Sequence, residues 1–191
     1  MLSILIATLS LAPQAISLSC PLMDAPVRPD ENAMDFGGIR YALCCGGCVS
    51  AMTSNPRMVV KGIEEKKGTF GFSLFDPVSG ERVPLKKAKA TATFKNIAYV
   101  FASEANRATF EASPVKFTKA PEKEAVYCPV MNHAVKSVAA SGGFVDHEGV
   151  RYYVCCPNCL AALKADPAKF VGNAKGAVQA VKVTKAPKEQ G

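Results

Sequence analysis

All eight cysteines of the 191-residue chain stand in two clusters that repeat one spacing. The first runs Cys20-Pro21-Leu22-Met23, then Cys44-Cys45-Gly46-Gly47-Cys48; the second runs Cys128-Pro129-Val130-Met131, then Cys155-Cys156-Pro157-Asn158-Cys159. Sulfur gathered this tightly, with a cysteine-free stretch between, reads as local soft-metal or thiol chemistry rather than as a stapled scaffold. A cysteine at the end of a strand and another four positions later, at the start of a helix, converge on one point. The Cys-Pro turn supplies a third thiolate from across the unit. Cys20, Cys44 and Cys48 are therefore the primary candidate ligands of one site, and Cys128, Cys155 and Cys159 those of the other. Helix-start amides stabilise a thiolate, so Cys48 and Cys159 are expected to be the more acidic members.

The donor set bears on the metal. Zn(II) prefers four ligands, and the fourth is Cys45 or Cys156, or His133 in the second cluster. Three thiolates with a nearby thioether suit Cu(I) better, and Met23 and Met131 recur at one offset from their cysteines, although methionine is also a common core filler. Adjacent cysteines in extended backbone point oppositely, so Cys45 and Cys156 reach the same ion only if the chain bends sharply there; otherwise they are redox-active, buried or alternative ligands. The first cluster has Ala25 where the second has His133, so that histidine is not essential to a shared mechanism. His147, between Asp146 and Glu148, reads as surface polar. The expectation is about two ions, Cu(I) or Zn(II), one per cluster.

A third copy of the frame lacks sulfur. Asp76-Pro77-Val78-Ser79-Gly80 and Tyr99-Val100-Phe101-Ala102-Ser103-Glu104-Ala105-Asn106 put Asp76, Ala102 and Asn106 at the cysteine positions, as remnants of a lost site. Tyr41 to Pro56, Tyr99 to Pro114 and Tyr152 to Pro167 are equal intervals, and the tyrosines read as core. Each unit is about 50 residues, a size at which a core alone is marginal and a metal, a disulfide or a neighbour is commonly needed. The middle unit has Phe70, Phe72, Phe75, Phe94, Phe101, Phe110 and Phe117 instead.

The elements that position these residues follow from local pattern. Residues 38–43 are a strand running into the first cysteine cluster, and Val49 to Met52 begins a helix that must finish before Pro56. Residues 91–94 and 97–101 form a hairpin around Lys95-Asn96, followed by a helix from Glu104 to Ala112 capped by Ser103. Residues 142–146 and 150–154 form another around Glu148-Gly149, with a helix over 159–165 ending near Pro167. The predicted class is α+β. Its divisions are a signal peptide over 1–19, a metal-binding unit over 20–63, a cysteine-free unit over 69–118, a second metal-binding unit over 125–176 and a flexible Lys-rich tail over 177–191. Charged linkers fall at 61–68 and 119–124.

Composition narrows the function. The apolar, uncharged start, Met1 to Ala12, has the length of a secretory signal core and is too short for a membrane span, which places the mature chain in the periplasm or outside the cell with no span of its own. The net charge of +7 is carried mainly by scattered lysines with no aromatic-interleaved arginine stripe, so a nucleic-acid groove is unsupported. With two histidines and no recognisable Ser-His-Asp set, phosphate loop or paired carboxylates, hydrolytic catalysis is not expected.

The frame resembles the YHS and TRASH metal-binding domains from Cys20 to about Gly172. Cys20, Cys44 and Cys48 match that family's three positions, as do Cys128, Cys155 and Cys159; Asn55-Pro56 and Asp166-Pro167 match its helix exit. The resemblance implies a treble-clef-like unit of hairpin plus helix. It also implies heavy-metal binding, sensing or trafficking, often beside a metal transporter or another exported partner. The chain departs from the zinc-ribbon version in having Met23 and Met131 in place of a second early thiol, and in the added Cys45 and Cys156. Two rival readings remain: a structural protein whose cysteines only stabilise the fold, and a thiol-disulfide redox protein using Cys45-Gly46-Gly47-Cys48 and Cys156-Pro157-Asn158-Cys159.

Overall fold

The structure, a computed structural model, describes residues 16–187. Three hairpins organise it: Met34–Phe36 with Ile39–Tyr41, Ala90–Phe94 with Ile97–Phe101, and Gly143–His147 with Val150–Val154. Each turns through two residues of positive φ: Gly37 and Gly38 (61° and 82°), Lys95 and Asn96 (47° and 63°), Glu148 and Gly149 (49° and 77°). Two successive left-handed residues give the turn whose twist matches the strands it joins.

Every hairpin leads into a helix and then, across a proline, into another. The helices are α1 (Gly46–Ser54), α2 (Pro56–Ile63), α3 (Glu104–Ala112), α4 (Pro114–Phe117), α5 (Pro157–Ala165) and α6 (Pro167–Val171). The expected stop at Pro56 is thus half of the event. Proline ends one helix, and its fixed φ and missing N–H suit the first position of the next. Asn55 and Asp166 cap these second helices, accepting from the amides of Met58 at 3.3 Å and Lys169 at 3.2 Å. Helix α1 also begins earlier than expected, at Gly46 directly after Cys45.

The chain is mixed α+β with several small sheets. The larger sheet has six strands in the order Thr184–Lys185, Met34–Phe36, Ile39–Tyr41, Gly71–Ser73, Ile97–Phe101, Ala90–Phe94, so the first two expected units share it. A four-stranded sheet has the order Gly143–His147, Val150–Val154, Lys123–Ala125, Val178–Ala180. Two further two-stranded pairs carry Cys20 and Cys128 at or beside their turns.

Three boundaries need correction. The segment read as a flexible tail is tied at both sheets, with Val178–Ala180 against Lys123–Ala125 and Thr184–Lys185 against Met34–Asp35. Its short alternating strands lie among lysines, which hid them. Lys123 and Glu124, placed in a linker, belong to a strand. Leu18 and Ser19, assigned to the signal peptide, pair with Pro26–Val27, and Leu18 is buried in the core. The remainder of that segment, residues 1–15, lies outside the described residues, as do 188–191 of the tail.

Packing follows the same frame. Tyr41, Tyr99 and Tyr152 are buried, as are Met52, Phe110 and Leu163, one on the first helix after each hairpin. The Phe75 ring meets Phe144 edge-on at 5.4 Å, and the Phe144 amide donates to the Gly80 carbonyl at 2.8 Å, joining the middle segment to the last hairpin. Arg151 holds the last hairpin to the first through the Gly37 carbonyl at 3.3 Å.

Candidate metal centre

Each thiol site is built from a turn and a strand-to-helix junction. Cys20 opens a turn in which the Asp24 amide returns to the Cys20 carbonyl at 2.9 Å and the Cys20 amide donates to Ala25 at 2.8 Å. Asp24 takes φ 55°, and Asn132, equally four residues after Cys128, takes φ 54°. Asparagine and aspartate tolerate this left-handed conformation better than most residues, which accounts for their use here. At the junction, buried Leu43 and Val154 end the extended segment, Cys44 and Cys155 follow, and Cys45 and Cys156 stand at the helix N-cap in extended conformation. One turn later Cys48 and Cys159 face inward.

This arrangement brings together the sulfurs of Cys20, Cys44 and Cys48, and separately those of Cys128, Cys155 and Cys159, each set mutually within 4.8 Å. Cys44 and Cys48 lie 3.7 Å apart, Cys155 and Cys159 3.6 Å. Metal–sulfur bonds of about 2.3 Å in tetrahedral geometry put neighbouring sulfurs about 3.8 Å apart, so these pairs already stand at ligand spacing. Cys20, Cys48, Cys128 and Cys159 are buried, whereas Cys44 and Cys155 are half-buried. The sets therefore suit a soft ion held in a largely apolar pocket with one side open.

The remaining candidates sit differently. Cys45 lies 3.5 Å from Cys48, and Cys156 3.2 Å from Cys159, yet neither belongs to its mutually close set. His133 pairs with Cys128 across two strands, but its ring is exposed, with Nδ1 2.9 Å from the Ala134 carbonyl oxygen, and it is not in the sulfur group. Met23 and Met131 are largely exposed on their turns.

Electrostatics reverse the expected order of acidity. Burial, together with the neighbouring thiols, pushes Cys48 and Cys159 well above the ordinary cysteine range. Cys20 and Cys128 lie below it: burial opposes their ionisation, but backbone amides, foremost those of Cys44 and Cys155, outweigh it. Cys45 is lowered by the amide and thiol of Cys48, and Cys156 by the thiol and amide of Cys159. The stabilisation by helix-start amides thus falls on the N-cap cysteine rather than on the one in the first turn.

The sulfur-free copy has an ordered counterpart. Asp76, fully buried, accepts from the amides of Val78 (2.9 Å), Ser79 (3.1 Å) and Ala102 (2.9 Å) and from Asn106 Nδ2 (2.6 Å). Gly80, four residues on, takes φ 67° as Asp24 and Asn132 do in their turns. Ser103 stands at the N-cap where the other copies have Cys45 and Cys156, accepting from the Asn106 amide at 3.1 Å. Cys45 and Cys156 hold the N-cap position without a side-chain capping bond, a placement that their alignment with Ser103 signals in the sequence.

No protein-family model, curated protein or solved structure matches this chain.

Proposed function

We propose that the chain is an exported carrier, buffer or sensor of a thiophilic ion, Cu(I) or Zn(II). On this reading it is built from three treble-clef-like units of the YHS/TRASH type, of which the first and third each bind one ion. The observation that carries this reading is the pair of sulfur triads, Cys20, Cys44, Cys48 and Cys128, Cys155, Cys159, each within 4.8 Å. Three thiolates with a half-buried rim match a transferable soft ion: the buried sulfurs hold it, and the open side admits an incoming ligand from a metal transporter or another exported protein. Mass spectrometry of the reduced protein under non-denaturing conditions, with Cu(I) and with Zn(II) in turn, is expected to show about two bound ions, and about one after Cys44→Ser with Cys48→Ser. No uptake by the reduced protein overturns the proposal.

A purely structural role for the ions has one observation in its favour, since the triads sit within the hydrophobic clusters that hold the first and third hairpins. Against it stands the middle copy, which closes the same frame with Asp76 and Asn106 and no sulfur. A competing thiol chelator separates the two readings: the carrier gives up its ions while keeping its far-ultraviolet circular dichroism, whereas a structural site unfolds as it is stripped.

A further inference from the structure

We propose that Cys45 with Cys48, and Cys156 with Cys159, are dithiol–disulfide pairs that each share one sulfur with a metal triad, so that oxidation of the pair and occupation of the triad exclude one another. The second half of this statement rests on the metal-binding reading above; the first half stands without it.

Geometry sets each N-cap sulfur directly beside one inner sulfur. The Cys156–Cys159 separation of 3.2 Å is shorter than the spacing of Cys155 and Cys159, and Cys45–Cys48 at 3.5 Å is shorter than Cys44–Cys48. A disulfide closes to about 2.0 Å, and within each site the N-cap and inner sulfurs are already in contact, so a small movement of the more exposed partner forms the bond. The N-cap sulfurs also stand outside the mutually close sets. Access divides each pair in the way thiol–disulfide exchange requires. Cys45 is exposed and Cys156 half-buried, whereas Cys48 and Cys159 are buried. The space beside Cys45 is open: a Cβ at Gly46 would meet nothing within 4 Å outside its chain neighbours, and one at Gly47 only the Cys45 sulfur at 3.9 Å.

The third copy shows what the N-cap position does when no triad is present. Ser103 occupies it and caps the helix through Asn106, the ordinary task of that position, for which serine is among the best residues. Cysteine replaces it in both copies that have the triad, where a serine would cap as well. Capping therefore does not explain the sulfur, and its nearness to the inner cysteine does.

The oxidant required is an external disulfide, such as oxidised glutathione. Cys45 sulfur, as thiolate, attacks one sulfur of that disulfide; the S–S bond breaks, one glutathione thiolate leaves and takes a proton from solvent, and a mixed disulfide forms. Cys48 sulfur, giving its proton to solvent, then attacks the Cys45 sulfur and displaces the second glutathione. Two protein thiols have lost two electrons and two protons, and one external disulfide has become two thiols. The new bond removes one of three sulfur donors and leaves Cys20 with Cys44. The same steps apply to Cys156 and Cys159.

Two arms test this on the full chain. In the first, reduced metal-free protein is equilibrated with glutathione buffers of increasing oxidised fraction, quenched by alkylation and mapped by peptide mass spectrometry. Cys45–Cys48 and Cys156–Cys159 are expected as the first disulfides; a first bond involving Cys20 or Cys128, or only stable glutathione adducts, overturns the proposal. In the second, protein loaded with redox-inert Zn(II) is exposed to oxidised glutathione beside a chromogenic chelator. Zinc release is expected to keep step with disulfide formation and to slow about tenfold or more in Cys45→Ser with Cys156→Ser, substitutions that install the residue the third copy already uses. Equal release from wild type and variant overturns the coupling. If reduced protein takes up no zinc or copper, the metal-binding reading fails, while the disulfide map still decides the pairs.

Discussion

Asp76 accepts a 2.6 Å hydrogen bond from Asn106 in the place where the flanking copies set Cys20 beside Cys48 and Cys128 beside Cys159. The same turn and the same helix are joined in all three, by a carboxylate and an amide in one and by sulfur in two. One turn further along the helix the middle segment adds an aromatic cluster, with Phe110 at 4.9 Å from Tyr99 and 5.2 Å from Phe101. Hydrogen bonds and ring packing thus close in the middle copy a junction at which the other two copies place three sulfurs.

Removing that closure is costly. Asp76→Ala deprives the half-buried amides of Val78, Ser79 and Ala102 and the side chain of Asn106 of their fully buried acceptor. Stranded buried donors cost about 1–3 kcal/mol each when no water replaces the partner, so a loss of about 3 kcal/mol or more is expected. Urea unfolding followed by circular dichroism measures it; a midpoint unchanged from wild type refutes the closure argument.

Ion uptake is expected to be strongly pH-dependent. Burial and neighbouring sulfurs raise Cys48 and Cys159 above the ordinary thiol range, and Cys44 and Cys155 are raised as well, so these groups are protonated in the metal-free protein at neutral pH. An ion binds the thiolates, so each site sheds protons on loading and affinity rises with pH. With about two protons released per site, the apparent affinity increases about 100-fold per pH unit near neutrality. Competition titrations against a chelator of known affinity between pH 6 and pH 8 check the slope; a flat profile contradicts the assignment of Cys44 and Cys48 as ligands.

Much of this arrangement is legible in the sequence. The turn at Lys95-Asn96, the Glu104–Ala112 helix and its Ser103 cap are fixed by neighbours in sequence, and they stand as read. The first helix ends before Pro56 as its sequence requires; the second helix that Pro56 opens goes unannounced, because proline carries two messages, an end and a beginning, and only the capping by Asn55 distinguishes them. The acidity of Cys48 is not legible, because a helix start is a local signal, whereas burial among Cys45, Cys20 and Cys44 is not. Asp76 reads in sequence as the residue of a lost site; its four partners come from two segments about 26 residues apart and appear only in the fold. The strands at Val178–Ala180 and Thr184–Lys185 pair with segments far upstream, which no local pattern announces.

The junction between the middle segment and the last hairpin depends on glycine at position 80. Gly80 has φ 67°, and a Cβ there would collide with the Phe144 carbonyl oxygen, a backbone atom with little freedom to retreat. Gly80→Ala is expected to part Gly80 from Phe144 and expose the Phe75–Phe144 contact, lowering stability by about 2 kcal/mol or more. Thermal unfolding tests this, with Gly62→Ala, an open helical position, as the control that leaves the midpoint close to wild type.

The equivalence of the three copies can be tested by construction. Asp76, Ala102 and Asn106 stand at the turn, the junction and the first helical turn, as Cys20, Cys44 and Cys48 do. If the frame alone brings these positions together, Asp76→Cys with Ala102→Cys and Asn106→Cys builds a third triad, and the helix keeps its Ser103 cap. The variant gives up the hydrogen bonds of Asp76, so its metal-free form is expected to be less stable than wild type, and soft-ion binding restores the lost stability by mass action. Non-denaturing mass spectrometry is expected to show one more ion than wild type, and thermal unfolding a larger metal-dependent rise in midpoint. A folded variant that binds no additional ion shows that the match between Asp76–Asn106 and Cys20–Cys48 is one of sequence position and not of geometry.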